Sequence, residues 1–191
     1  MSIERSETTS IPITISLRLA YRMVDMLHLT DEDTFVIPLA NEGELVRPIF
    51  SVSHKPICQV PRLTVLVDPD KKRCTRLKQA IPNYEEVAVI VATGDFLTMP
   101  NSLMEVTAVA LGPPESPDRD IARLVHAWNL LKPGGRLVAV CDEEAFLGHN
   151  EVSDEFLDFV DATEAMHSPV SPDCFSPPLS ARLVYLQKPS D

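Results

Sequence analysis

The sequence predicts an α/β fold, a mostly parallel sheet with helices on both faces, and three observations carry that expectation. Residues 104–111 (MEVTAVAL) are an apolar, β-branched run with no charge after Glu105, leading straight into Gly112-Pro113-Pro114. This reads as a buried strand ended by a sharp turn. Ile121, Leu124, Val125, Trp128 and Leu131 then fall at i, i+3, i+4, i+7 and i+10, ahead of Lys132-Pro133-Gly134-Gly135. That is an amphipathic helix, residues 118–131, with a strong stop. Residues 136–141 (RLVAVC) form a second apolar strand. Strand, crossover helix and strand of this length close a right-handed βαβ unit, so ligands are expected at the carboxyl ends of the strands, beside the turn at 112–115.

The remaining elements follow from the N-terminus. Residues 1–12 are polar without periodicity and read as a loose arm, with the folded domain expected from 16 to 191 after an arm of 1–15. Leu17, Ala20, Tyr21, Val24, Leu27 and Leu29 line one face of a helix that Ser16 is placed to cap. Residues 34–38 (TFVIP) are the first strand, and Glu44-Leu45-Val46 begin a short helix that Pro48 interrupts. Residues 49–61, with Pro56 and Pro61, look irregular. Residues 63–67 (LTVLV) are the second strand, with Asp70 capping a basic helix over 71–80; residues 87–92 (VAVIVA) are the third, leading to Gly94-Asp95-Phe96-Leu97. Beyond Cys141, Ser153-Asp154-Glu155 are expected to cap a short helix, and a proline-rich connection reaches a last strand at 181–186. No repeat or linker divides the chain.

Composition narrows the function. With 45% hydrophobic residues and a mean hydropathy of +0.01, the chain buries a sizeable core. No apolar run reaches the roughly 18 residues of a membrane span, and MSIERSETTS lacks a signal core. A cytoplasmic protein without a membrane partner is expected. Cys58, Cys74, Cys141 and Cys174 show neither CxxC nor paired spacing, so reduced thiols are expected and no metal site is indicated. Gly is only 6 of 191 residues, far below the average of about 7%, although nucleotide-binding sheets rely on glycine where backbone approaches ligand.

Charge is unevenly placed. Residues 142–164 hold nine acids and no Lys or Arg: Asp142, Glu143, Glu144, Glu151, Asp154, Glu155, Asp158, Asp161 and Glu164. Lys71, Lys72, Arg73, Arg76 and Lys78 cluster on the basic helix. The acidic run opposes nucleic-acid binding through its own surface and suits either a basic protein partner or a solvated face. Glu143 and Glu144 are read as solvated rather than acid–base groups, His126 as a surface or boundary residue, and no spacing supports a thiol–imidazole pair or a Walker loop.

The order LRLAYRMVDMLHL, FVIPLANEGEL, LTVLVDPD, GDFLTM, the GPP turn, DIARLVHAWNLLKPGGRLVAV and the strand at 181–185 resembles the class I S-adenosylmethionine-dependent methyltransferase fold. Within it, the pattern is nearest to adenine-N6 DNA methyltransferase-like proteins of bacterial mobile elements. The likeness spans about residues 16–188, and LKPGGRLVAV, its most specific stretch, marks the fold and not the chemistry. The resemblance implies a cofactor loop after the first strand, yet Ile37 stands at the acid's place, Leu39 at the small polar position and Asn41 at the central glycine, leaving Gly43. It implies a ribose-binding carboxylate ending the second strand, where the register places Leu66 and Asp68 lies two residues on, on the same face. Asp95 and Phe96 match its adenine-contacting positions, though an Asp after Gly94 is also a good cap.

The turn after the fourth strand departs furthest. Amino-methyltransferases of this kind carry Asn, Asp or Ser before Pro-Pro, to orient the target amine, and an aromatic after it, to stack on a flipped base. Here Gly112 has no side-chain acceptor, and Glu115 neither stacks nor suits a nucleic-acid backbone. The expectation is a catalytically inactive, cofactor-free methyltransferase-like protein that binds a protein partner with a basic or nucleic-acid-binding surface through Asp142, Glu143, Glu144, Glu151, Asp154, Glu155 and Asp158. The family's habitat suggests a phage or plasmid inhibitor of a host defence system, anti-CRISPR or anti-restriction, acting in the host cytoplasm. The alternatives are an active S-adenosylmethionine-dependent enzyme acting on an amino group, with Asn41, Gly43, Asp68, Asp95, Phe96 and Gly112 around the cofactor, and the non-catalytic subunit of a methyltransferase heterodimer.

Overall fold

The computed structural model describes residues 13–50, 58–82, 87–100, 105–148 and 150–190. Expectations for residues 1–12, for most of the irregular stretch, and for Met104 lie outside them. A seven-stranded sheet runs in the order β4-β3-β2-β5-β6-β9-β7, where β2 is Thr34–Pro38, β3 Leu63–Asp68, β4 Val89–Thr93, β5 Val106–Leu111, β6 Leu131–Asp142, β7 Met166–Val170 and β9 Ala181–Gln187. Strands β2 to β6 pair in parallel, and β9 lies antiparallel between β6 and β7. All five residues of β2 are buried, as a central strand covered on both faces requires.

Side-chain alternation divides the core in two. Phe35, Ile37, Leu66, Ala108 and Ala110 face α1 (Leu17–Met26), α2 (Arg47–Phe50) and α3 (Lys71–Ala80). Val36, Val65, Val67, Val109 and Leu111 face α4 (Pro117–Leu130) and α5 (Glu151–Ala162). The order reverses between β2 and β5, so loops leaving their carboxyl ends diverge and open a crevice there.

Several caps follow from residue chemistry. The Ser16 hydroxyl accepts from Leu19 N (3.3 Å), and the Asp70 carboxylate accepts from Lys72 N (2.7 Å) and Arg73 N (3.2 Å). These backbone donors hold the Asp70 carboxyl below the usual range. Four expectations are corrected. Helix α2 starts at Arg47 with Pro48 in its first turn, where a missing N–H leaves no intrahelical bond unmade. Helix α5 starts at Glu151, capped by Asn150 in a capping box with Ser153 and not by Ser153-Asp154-Glu155. The strand expected at 136–141 begins earlier, at Leu131 directly after the helix stops, and a register shift against β5 absorbs Lys132-Pro133-Gly134-Gly135. Lys188 secures this junction, donating Nζ to the Trp128 (3.2 Å) and Leu131 (2.7 Å) carbonyls at the end of α4.

The fourth correction concerns the proline-rich connection, which contains structure. Strand β7 tolerates Pro169 because it is an edge strand. Strand β8 (Phe175–Ser176) pairs with β1 (Thr14–Ile15), so the last residues assigned to the arm are built into the body, with Ile15 in the core.

Candidate functional site

Loops after β2, β3, β4 and β5 converge on a cleft of about 440 Å³, within the roughly 300–1,000 Å³ of small-molecule sites. The loop after β2 keeps the sharp path of a glycine turn with few glycines: Leu39 (φ 50°), Asn41 (φ 46°) and Gly43 (φ 82°) are all left-handed. Leu39 and Asn41 therefore carry side chains at positions where glycine would leave space, and both line the cleft.

Strand β3 runs to Asp68, one residue beyond the expected 63–67, which places this carboxylate at the strand's carboxyl end. Its side chain is fully buried and engaged by its own chain. Oδ2 accepts from Asn41 N (3.1 Å), and Oδ1 accepts from Asp70 N (2.8 Å) and Arg73 Nε (2.9 Å). Asp95 caps a short 3-10 turn through Leu97 N (3.1 Å), and the buried Phe96 ring meets His126 edge-on at 4.9 Å. His126, expected at a surface or boundary, is half-buried, and its Nε2 is buried without a hydrogen-bond partner among the described residues.

After β5, the Glu115 carboxylate pairs with Arg123 Nη2 and lies 3.4 Å from Arg119 Nε. The charge expected to face a nucleic acid is thus matched by two arginines. Asp120 fixes the same turn from below: its carboxylate accepts from Glu115 N (3.0 Å) and Asp142 N (3.0 Å), with Arg123 Nη1 at 3.9 Å. Burial pushes the Asp120 carboxyl up to about 6, against the pull of those two N–H donors. Burial likewise pushes the neighbouring Cys141 thiol well up, so it is no nucleophile.

The candidate cofactor residues are only partly brought together. Asn41, Asp95 and Phe96 line the cleft. Asp68 lies beneath it; Gly43 faces a separate groove of about 210 Å³ between α2 and α3. Gly112 borders a void of about 10 Å³ behind Pro113. None of Asp142, Glu143, Glu144, Glu151, Asp154, Glu155 and Asp158 lines the cleft. Glu143 pairs with Arg182 (3.2 Å), Asp142 caps the following turn through Glu144 N (2.9 Å), and Glu144, Glu151, Asp154, Glu155 and Asp158 are exposed. Sequence reasoning missed Arg119, Arg123 and Asp120. Arg119 and Arg123 follow Glu115 at i+4 and i+8, and Asp120 interrupts the stripe Leu124, Ala127, Leu131, signals that were available in the spacing. Among the described residues no group of three or more His, Cys, Asp or Glu side chains is placed to hold a metal, and no helix is long and apolar enough to cross a membrane.

No family model and no curated protein matches the sequence. Solved structures do match in fold. An rRNA methylase from Streptococcus thermophilus aligns with a TM-score of 0.61 at 13% identity, over 90% of this chain and 95% of that one. N-methyltransferase NodS from Bradyrhizobium japonicum gives 0.61 at 13%, over 91% and 96%. A class I S-adenosylmethionine-dependent methyltransferase from Listeria monocytogenes, described as putative, gives 0.66 at 14%, over 91% and 58%. The fold is that of class I methyltransferases, an α/β Rossmann-like sheet with helices on both faces.

Proposed function

We propose that this chain is a non-catalytic protein on a methyltransferase scaffold, acting by binding a protein partner and holding no S-adenosylmethionine. The observation that carries this reading is the state of Asp68. The one carboxylate at the end of β3 is buried and already accepts from Asn41, Asp70 and Arg73. Engaging ribose hydroxyls would require breaking charge-assisted bonds that hold the loops together. Leu39 and Asn41 narrow the turn, Gly112 offers no side-chain acceptor, and Glu115 is clasped by arginines. The exposed acids of α5, with no Lys or Arg between residues 142 and 164, supply a surface complementary to a basic groove. The specific form we propose is a phage- or plasmid-borne relative of adenine-N6 DNA methyltransferase-like proteins. It would occupy the nucleic-acid groove of a CRISPR effector or restriction enzyme in the host cytoplasm.

A second reading is an active amino-methyltransferase. It is favoured by the size of the cleft, by Asp95 and Phe96 on its wall, and by neighbours that are themselves named as methylases. Calorimetric titration with S-adenosylmethionine separates the two. Silence at millimolar ligand is expected; saturable micromolar binding would overturn the non-catalytic reading.

A further inference from the structure

The cleft holds guanidinium donors without partners among the described residues. Arg73 donates Nε to Asp68, and neither of its Nη atoms has a hydrogen-bond partner among the described residues. Arg119 comes within 3.4 Å of Glu115 through Nε, and its outer nitrogens make no hydrogen bond among the described residues. Arg123 is the most telling. Its side chain is 5% exposed, yet Nη1 is buried without a hydrogen-bond partner among the described residues, and the Asp120 carboxylate stands off at 3.9 Å. Buried arginine nitrogens are normally satisfied. All three arginines line the same cavity.

We propose that the cleft takes a small molecule through an anionic group, a phosphate or a carboxylate, held by Arg119 and Arg123 with Arg73 beside them, and that Glu115 sits on Arg119 and Arg123 in its place when no ligand is bound. A guanidinium fork matches either oxyanion two oxygens at a time. The chain demonstrates the match, because a carboxylate of its own already sits on Arg123 Nη2. Of the two acids on the same walls, Asp95 caps its own turn through Leu97 N, and Glu115 is the displaceable occupant. Phe96, Val67 and Pro114 give the ligand's body an apolar wall. The inference concerns the ligand rather than the protein partner, so it goes beyond the reading above and does not depend on it.

The test is calorimetry on the full chain with two probes that differ only by a phosphate, adenosine monophosphate and adenosine, alongside inorganic phosphate and succinate. The nucleotide is expected to bind about tenfold tighter than the nucleoside, with the difference shrinking as salt rises. Tighter binding of succinate than of either phosphate probe would assign the anion to a carboxylate. Glu115 and Arg119 are each 48% exposed, so Glu115→Gln and Arg119→Gln are expected to fold, which thermal melts check. Glu115→Gln removes the internal competitor and tightens nucleotide binding severalfold; Arg119→Gln weakens it. Equal affinity for nucleotide and nucleoside with no binding of phosphate or succinate overturns the proposal, as does a shift of both variants in the same direction. Binding of S-adenosylmethionine in a parallel titration would overturn the non-catalytic reading and leave the nucleotide comparison standing.

Discussion

The carboxylate of Asp120 accepts one hydrogen bond from the Glu115 backbone and one from the Asp142 backbone, each at 3.0 Å. One buried side chain on α4 therefore ties the turn after β5 to the end of β6, the floor of the cleft to the start of the acidic segment.

That tie is titratable. The folded pKa of Asp120 is raised to about 6 by burial, so between its unfolded value and about 6 the folded state binds more protons. Its contribution favours folding at low pH and is lost as pH rises through that window, by roughly 3 kcal/mol for a shift of about two units. Urea denaturation of wild type and Asp120→Asn from pH 4 to 7.5 should show the wild type losing that much relative to the variant. A constant difference across the series would refute the assignment.

Asp33 behaves oppositely. Burial pushes its carboxyl up, but hydrogen bonds from Thr107 Oγ1 (2.6 Å) and Thr30 N (2.7 Å), together with the Arg136 guanidinium, outweigh it and hold the group below the usual range. Its stabilisation is present at neutral pH and lost as pH falls through that lowered value. Arg136→Ala strands a buried charge and should cost about 3 kcal/mol at pH 7. The loss should shrink in acid, where Asp33 of the variant, deprived of the guanidinium, takes up a proton that the wild type does not; chemical denaturation at pH 7 and at acid pH reads both.

Asn41 sits at φ 46° and needs only its backbone N–H to hold Asp68. Asn41→Gly should therefore change stability by no more than about 0.5 kcal/mol, whereas Asn41→Val, β-branched in a left-handed position, should cost about 1–2 kcal/mol. Equal midpoints in urea for the two variants would contradict the backbone geometry.

Gly135 is required for space. A Cβ there would stand 2.8 Å from the Lys132 carbonyl oxygen, and backbone cannot move aside cheaply. Gly135→Ala should cost about 2 kcal/mol by thermal melting. Gly94→Ala, where a Cβ meets nothing within 4 Å, is the control and should lie within about 0.5 kcal/mol of wild type.

Much of this architecture was legible in the residues themselves. The strand at 34–38, the helix at 71–80 with its Asp70 cap and the βαβ unit around the GPP turn follow from hydrophobic period and local capping, which act over a few residues. Where the reading missed, as at the Asn150 cap, two adjacent segments both satisfied the local rule, and packing chose between them. The β1–β8 pair was invisible for another reason: two residues near one end of the chain carry no pattern until their partners, some 160 positions away, are placed beside them.

The sequence by itself determined the order of the elements from α1 to β6, the position of the cleft at the strand ends and the residue types around it. Only the tertiary structure decided what those residues are engaged in. Asp68 is held by Asn41, 27 positions earlier, Asp120 by the backbone of Asp142, 22 positions later, and Glu115 by arginines one and two turns into the next helix. Whether a carboxylate or guanidinium is available to a ligand depends on every donor and acceptor within about 3 Å of it. That inventory is a property of the folded chain and has no local sequence signature.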